Sequence, residues 1–352
     1  MLTTTPIQRD YQREMSDFIV QSKGRAYCGD DTGLGKTGEV LEAIKRLQPQ
    51  PSLILVICPK SAFGTWKVET HKWLQESVAF YPGDPPKPGT RFVVTNYERL
   101  ADIVNIRLTW DAIVVDEAHM LRNRKTQRFK NFKKLRSTYL IALSGSPFVN
   151  GVDDLWTMLN AIDRKRFGSY WAFYKRHVLE DYDLLGNVIK TEIRSIPKLR
   201  KEISPYFLRR VKEQVLNDLP PKIRQPLYAT MTPTQAAIYK ELTDVMMTDL
   251  SRWRDQSQDP IQNELELLTL SGYLDLHTRL RQTLVTPALW GGPNESGALN
   301  LLTEHVALSF DANLPVFVTT PYARAFPYIE EALSKSDAEY ITTHSGQLSA
   351  DE

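Results

Sequence analysis

The octapeptide Asp30-Asp31-Thr32-Gly33-Leu34-Gly35-Lys36-Thr37 constrains this chain more than any other stretch. Two glycines let a backbone turn tightly and bring its N–H groups against a polyphosphate. Lys36 sets a point charge where β- and γ-phosphates would lie, and Thr37 offers a hydroxyl to a magnesium ion. Glu39 to Leu47 are good helix formers, with Val40, Leu41, Ile44 and Leu47 at helical spacing. The loop therefore opens a helix, and the helix N-terminus adds its dipole to the anion site. The match to G-x-x-x-x-G-K-[ST] has one defect: Asp30 stands where the first glycine belongs. A short motif with such a defect needs the rest of the chain to support it.

A chain of 352 residues suggests about two domains. The net charge of +2 announces no nucleic-acid partner, so such a site has to come from local patches. Two cysteines, Cys28 and Cys58, sit beside apolar, strand-like residues and read as buried thiols in a reducing compartment. The first residues carry no signal-peptide pattern, and no run reaches the length of a membrane span. The expectation is a soluble, cytoplasmic protein with no membrane partner.

Apolar runs alternate with helical patterns, the signature of a parallel sheet. Ser52–Cys58 reads as a strand buried on both faces, and Phe92–Thr95, Ala112–Val115 and Tyr139–Leu143 as further strands. Polar turns after the carboxyl ends of such strands are where ligands bind. Lys60 and Ser61 occupy one such turn, Asn96 and Tyr97 the next, and Asp116 and Glu117 the third. Two acids at a strand end complete a magnesium–ATP site, with Asp116 on the metal through water and Glu117 orienting and deprotonating the attacking water. Ser144-Gly145-Ser146 closes the fourth strand; its hydroxyls can reach both the acidic loop and a ligand. A basic run from Arg122 to Arg136 is either a solvated helix face or a phosphate-backbone surface. Gln12 has an amide suited to the donor and acceptor edge of adenine. Phe207–Val215 reads as a helix leading into an extended connector, and 205/206 as the domain boundary. Beyond it, Thr232–Thr248, Leu265–Leu284 and Tyr322–Leu333 read as helices, and Leu314–Thr319 and Tyr340–Thr342 as strands.

The order of these signals resembles the Swi/Snf-type ATPases of helicase superfamily two. Arg9-Asp10-Tyr11-Gln12 is similar to the family's adenine-reading Q motif. Asp30–Thr37 is similar to its phosphate loop, which also carries Asp in place of the first glycine. Cys58–Trp66 resembles motif Ia, and Thr95–Glu98 the next nucleic-acid motif. Asp116–His119, with Leu121-Arg122-Asn123 behind it, resembles an extended DEAH box, and Leu143–Asn150 motif III. Leu208–Lys222 resembles the link between lobes, Leu280–Pro287 a segment of lobe two, and Pro315–Leu333 motif IV.

The resemblance implies an α/β fold of two RecA-like lobes with helical protrusions, residues 1–205 forming lobe one and 206–352 a linker, protrusion and partial lobe two. It implies ATP with Mg2+, held by Arg9, Gln12, Asp31, Thr32, Gly33, Leu34, Gly35, Lys36 and Thr37, with Asp116 sharing the metal and Glu117 as base. It implies duplex DNA as partner, ahead of single-stranded DNA or RNA, along a path lined by Lys60, Ser61, Trp66, Asn96, Tyr97 and Arg122. Ser144 and Ser146 would couple nucleotide state to DNA grip. The family's motifs V and VI are absent after Gly346; motif VI supplies arginines worth roughly 10³ to 10⁵ in rate in related hydrolases. The expectation is ATP binding on lobe one with poor turnover unless another chain supplies arginines. The short N-terminus fits a bacterial or viral source. Two alternatives stay open: a strand-separating DEAH-type helicase, and a nucleotide-gated DNA-binding module without efficient turnover.

Overall fold

The structure is a computed structural model. It describes residues 6–83, 89–149, 151–182, 188–216, 223–256 and 263–334. The chain forms two compact units, Met1–Pro221 and Lys222–Glu352.

The first unit begins with α1 (Asp10–Gln21), β1 (Arg25–Cys28), α2 (Lys36–Arg46), β2 (Ile54–Ile57) and α3 (Phe63–Leu74). It continues through β3 (Val78–Tyr81), β4 (Phe92–Thr95), α4 (Leu100–Ile106), β5 (Trp110–Val115), α5 (Gln127–Phe132) and β6 (Ser137–Leu143). Then come α6 (Trp156–Ile162), α7 (Tyr170–His177), the hairpin strands β7 (Val178–Tyr182) and β8 (Val188–Ile193), α8 (Ile196–Ile203), β9 (Phe207–Leu208) and α9 (Lys212–Val215). Seven strands make one parallel sheet in the order β3-β4-β2-β5-β6-β1-β9. The β7–β8 hairpin stands apart as an antiparallel pair.

Period-two alternation explains why this sheet forms. Leu55, Ile57, Ile113, Val115, Leu140 and Ala142 point into one core, which also holds Phe129, Trp156 and Phe173. Ile54, Val56, Ala112, Val114, Ile141 and Leu143 point into the other, against Val40, Leu41 and Ile44 of α2. A sheet covered on both faces needs apolar residues at every position, which is why its strands read as unbroken runs.

The strand order sets where a ligand can go. After β1 the chain crosses to β2, runs to the far edge at β3, comes back inward with β4, and then fills the gap between β2 and β1 with β5 and β6. The loops after β1, β6 and β5 therefore line up along one carboxyl edge, at a topological switch point.

Residues 206–216 differ from the sequence expectation of a helix beyond the first lobe. Phe207 and Leu208 pair with Tyr27 and Cys28 as the edge strand of the first sheet, and only Lys212–Val215 is helical. Phe207 also meets Tyr27 edge to face at 5.4 Å. This packing exceeds what local helix propensity offers. The strand β3, unread in the sequence, pairs with β4.

The second unit holds α10 (Pro233–Gln256), α11 (Asn263–Val285), α12 (Gly297–Asp311) and α13 (Phe326–Leu333). Leu289, Leu299, Val306, Ala325, Ile329 and Leu333 form its core. The buried Gln235 amide donates to the Thr283 and Leu284 carbonyls at 2.8 and 3.2 Å, and its oxygen accepts the Gly297 N–H at 3.2 Å. Residues 314–319, expected as a strand, carry no ladder: Val316 and Phe317 are exposed and no described strand lies in this unit to pair with them. The expected strand Tyr340–Thr342 and the region after Gly346 lie outside the described residues. Among the described residues, no helix is long and apolar enough to cross a membrane.

A candidate nucleotide site on the carboxyl edge of the sheet

The loop after β1 has the backbone its glycines foretell. Gly33 and Gly35 lie at φ 85° and 90°, in the left-handed region that disfavours side chains, and Gly35 is the N-cap of α2. Lys36 folds back over the loop, donating to the Asp30 and Asp31 carbonyls at 2.8 and 3.1 Å. Leu34 is buried, which anchors the loop, whereas Thr32, Gly33 and Gly35 are exposed and Thr37 is half-buried at the head of α2. Gln12 docks on the same loop: its amide donates to the Leu34 carbonyl at 2.9 Å and accepts the Arg9 N–H at 3.0 Å. Arg9 itself is exposed beside the start of α1.

The loop after β5 brings the two acids to the same edge. Asp116 Oδ2 accepts from Trp66 Nε1 at 3.0 Å and Oδ1 accepts the Glu117 N–H at 2.9 Å. Burial raises the Asp116 pKa; those two hydrogen bonds and the Lys36 charge pull the other way. Glu117 adopts φ 52°, a strained left-handed turn. That turn sets its carboxylate 3.1 Å from His119 Nδ1, which also lies 3.0 Å from Ser144 Oγ. Ser144 in turn accepts the Ser146 N–H at 3.1 Å. So the acidic loop and the hydroxyl turn after β6 are joined through one imidazole. The turn also abuts the phosphate loop: a Cβ on Gly145 would fall 2.7 Å from Thr32. Ser144 is fully buried and Ser146 exposed.

Sequence reasoning missed the residues that lock the loop from the other side. Asp30, fully buried, accepts the Arg210 N–H at 2.9 Å and the Arg210 guanidinium Nε at 3.1 Å. A carboxylate in place of the motif's glycine thus gives the segment after β9 a charged receptor. Arg209 donates to the Gly29 and Gly145 carbonyls at 2.7 and 3.0 Å and to Asp31 Oδ1 at 3.0 Å. It bridges the phosphate loop and the hydroxyl turn. The Lys212 N–H donates to Asp31 Oδ2 at 3.2 Å. The adjacent basic pair Arg209-Arg210 was visible in the sequence, but nothing local says what it contacts. Glu39, also missed, is fully buried, 3.6 Å from Arg210, and neither of its carboxyl oxygens has a hydrogen-bond partner. Burial, then repulsion from Asp30, pushes its pKa up to about 8.

Three residues expected along a DNA path lie inside the fold in this structure. Trp66, Asn96 and Tyr97 are buried, at 0%, 2% and 2% exposure. Their chemistry points inward: Trp66 holds the Asp116 carboxylate, the Tyr97 hydroxyl donates to the Asp116 carbonyl, and Asn96 caps the short turn Tyr97–Arg99. A strand-ending turn has two sides, and these residues take the sheet side. Lys60 and Ser61 remain exposed and Arg122 half-buried. Arg122, Arg124, Lys125 and Arg128 line a groove of about 750 Å³ with Trp171 and Asp153. The Arg124 guanidinium stacks 4.2 Å from the Tyr170 ring. Cys28 and Cys58 are both buried and unpaired, and burial pushes both thiols up.

Magnesium fits the oxygen donors present. Thr37 and Asp116 offer a hydroxyl and a carboxylate, the hard ligands such an ion takes alongside substrate phosphates and water. No cluster of three or more His, Cys, Asp or Glu ligands occurs among the described residues.

Sheet order, glycine loop and acidic turn define a parallel α/β domain of the phosphate-loop kind. The model of the SNF2-related domain matches residues 11–289, and the chain belongs to that family. A Bacillus subtilis protein named as an ATP-dependent helicase/translocase, YwqA, is 27% identical over 379 residues, covering 99% of this chain and 39% of that protein. Arabidopsis thaliana Protein CHROMATIN REMODELING 5 is 28% identical over 271 residues, covering 69% of this chain and 15% of its own length. The chain thus spans well under half of these relatives. The SWI2/SNF2 ATPase core of Sulfolobus solfataricus in complex with dsDNA superposes with a TM-score of 0.54 at 26% identity, over 95% of this chain and 71% of that one.

Proposed function

We propose that this chain binds Mg–ATP at the Asp30–Thr37 loop and hydrolyses it as a duplex-DNA-dependent translocase of SNF2 type. The observation that carries the reading is the chain of contacts Glu117–His119–Ser144, which joins the acidic turn to the turn packed on the phosphate loop. In this reading Lys36 leaves the Asp30 and Asp31 carbonyls for the β- and γ-phosphates, while the loop N–H groups hold the remaining oxygens. Gln12 and Arg9 face the base. Thr37 and Asp116 hold magnesium, which neutralises charge on the phosphates. Glu117 orients the attacking water and takes its proton. Since His119 shares its Nδ1 between Glu117 and Ser144, movement of Glu117 toward water changes the hydrogen bonding of the Ser144–Ser146 turn. That is a route from nucleotide state to DNA grip.

Duplex DNA is the proposed partner because a neighbouring fold carries dsDNA and because Lys60, Ser61 and Arg122 keep polar side chains at the surface. Phosphate release from ATP, measured without nucleic acid, with duplex and with single-stranded DNA, tests the reading. Duplex should stimulate release most, and Glu117→Gln should lower it by about two to four decades. Equal rates in all three conditions would contradict it. Separation of a tailed duplex would favour the strand-separating alternative.

A further inference from the structure

The segment that leaves the first sheet reaches back over the phosphate loop. After β9, Arg209 and the Lys212 N–H take one carboxylate oxygen each of Asp31. This fixes the backbone of Lys212 over the loop. Its side chain then lies on the exposed face of Gly33: a Cβ placed there would meet Lys212 Nζ at 3.2 Å and Cε at 3.3 Å. The two arginines that precede Val211 are spent on fixed partners. Arg210 is locked on buried Asp30, and Arg209 on Asp31 and two carbonyls. Lys212 Nζ, by contrast, forms no ion pair or hydrogen bond among the described residues. A half-buried ammonium held beside an anion-cradling glycine, while neighbouring cations are neutralised locally, is placed to meet an incoming charge.

We propose that Lys212 is a second phosphate-binding lysine, delivered to the loop by the segment after β9 and acting with Lys36 on the polyphosphate of the bound nucleotide. The inference rests on the reading of Asp30–Thr37 as a nucleotide site. Asp31 is the positioning residue: one of its carboxylate oxygens accepts the Lys212 N–H and so orients Lys212. An ammonium that reaches phosphate discriminates by the number of phosphates, because each added phosphate brings charge to it. A lysine that only stiffened the loop would affect all nucleotides alike.

Calorimetric titration of the full chain with a non-hydrolysable ATP analogue, ADP and adenosine separates these roles. It is run on the unaltered chain and on Lys212→Ala, Lys212→Arg and Lys36→Ala. Lys212→Ala should weaken the triphosphate about tenfold, ADP less, and adenosine not at all. Lys212→Arg should restore most of the loss. Thermal unfolding of Lys212→Ala should match the unaltered chain, since the side chain packs on no core. Unchanged triphosphate affinity in Lys212→Ala, with loss in Lys36→Ala, would overturn the role of Lys212 alone. An equal loss for all three ligands would also overturn it. Unchanged affinity in Lys36→Ala would remove the nucleotide site itself, and this inference with it.

Discussion

The nucleotide edge and the expected DNA face of the first unit differ in which way their residues turn. Along the nucleotide edge, Gly33, Gly35 and Lys36 follow one another in a single loop, Gln12 docks on it from α1, and Asp116, Glu117 and Ser144 line up beside it. On the DNA face, Trp66, Asn96 and Tyr97 turn into the interior and brace Asp116 or a turn beside it. A phosphate cradle demands fixed spacing along one backbone segment, so residue identity reports it directly. A DNA surface demands only charge and polarity on one side of a fold, and sequence does not say which side a strand-end residue takes.

Breaking the bracing residues should sharpen this contrast most. Trp66→Ala empties a fully buried site and strips Asp116 of a donor, and should cost about 3–5 kcal/mol in denaturant unfolding. Trp66→Phe keeps an aromatic side chain of smaller volume and removes the N–H; it should fold and lose turnover more than duplex affinity. If Trp66→Phe instead weakens duplex binding selectively, Trp66 belongs to the DNA face after all.

Glu39 gives an intermediate effect, with a sign that follows from its burial. The folded chain keeps a proton on Glu39 up to about 8, whereas the unfolded chain releases it near 4.5. The folded state therefore binds more protons across that window, and stability falls as pH rises through it. Glu39→Gln, which resembles the protonated acid, should flatten this slope and raise stability at pH 8 by about 1–2 kcal/mol. A stability profile over pH 5–8 that is the same in both proteins would place an ionised Glu39 beside Arg210 instead.

The smallest effects belong to exposed Lys60 and half-buried Arg122. Lys60→Ala and Arg122→Ala should leave unfolding and ATP-analogue affinity unchanged. Each should reduce the salt dependence of duplex binding by about one counterion. A salt dependence unaltered in both would remove them from the DNA path.

Much of the fold was legible because the parallel sheet writes itself as unbroken apolar runs: Ile54–Ile57, Phe92–Thr95 and Tyr139–Leu143 were all visible. Phe207–Leu208 was not, since a two-residue edge strand owes its state to Tyr27 and Cys28, distant in sequence. The site followed the same division. Gly33, Gly35 and Lys36 act through their own backbone neighbourhood and were readable. Arg209 and Arg210 act across some 180 positions, on Asp31 and Asp30, and only the folded sheet brings them there. Asp30 shows the point in one residue: it read as a defect in a motif and is the receptor for a buried arginine.

The most direct test of the account is equilibrium binding of a magnesium-loaded, non-hydrolysable ATP analogue to Lys36→Ala beside Glu117→Gln and the unaltered chain. Lys36→Ala should lose about a hundredfold in affinity and Glu117→Gln should bind near-normally, since one residue holds phosphate and the other acts on water. Affinity in Lys36→Ala equal to that of the unaltered chain would contradict it.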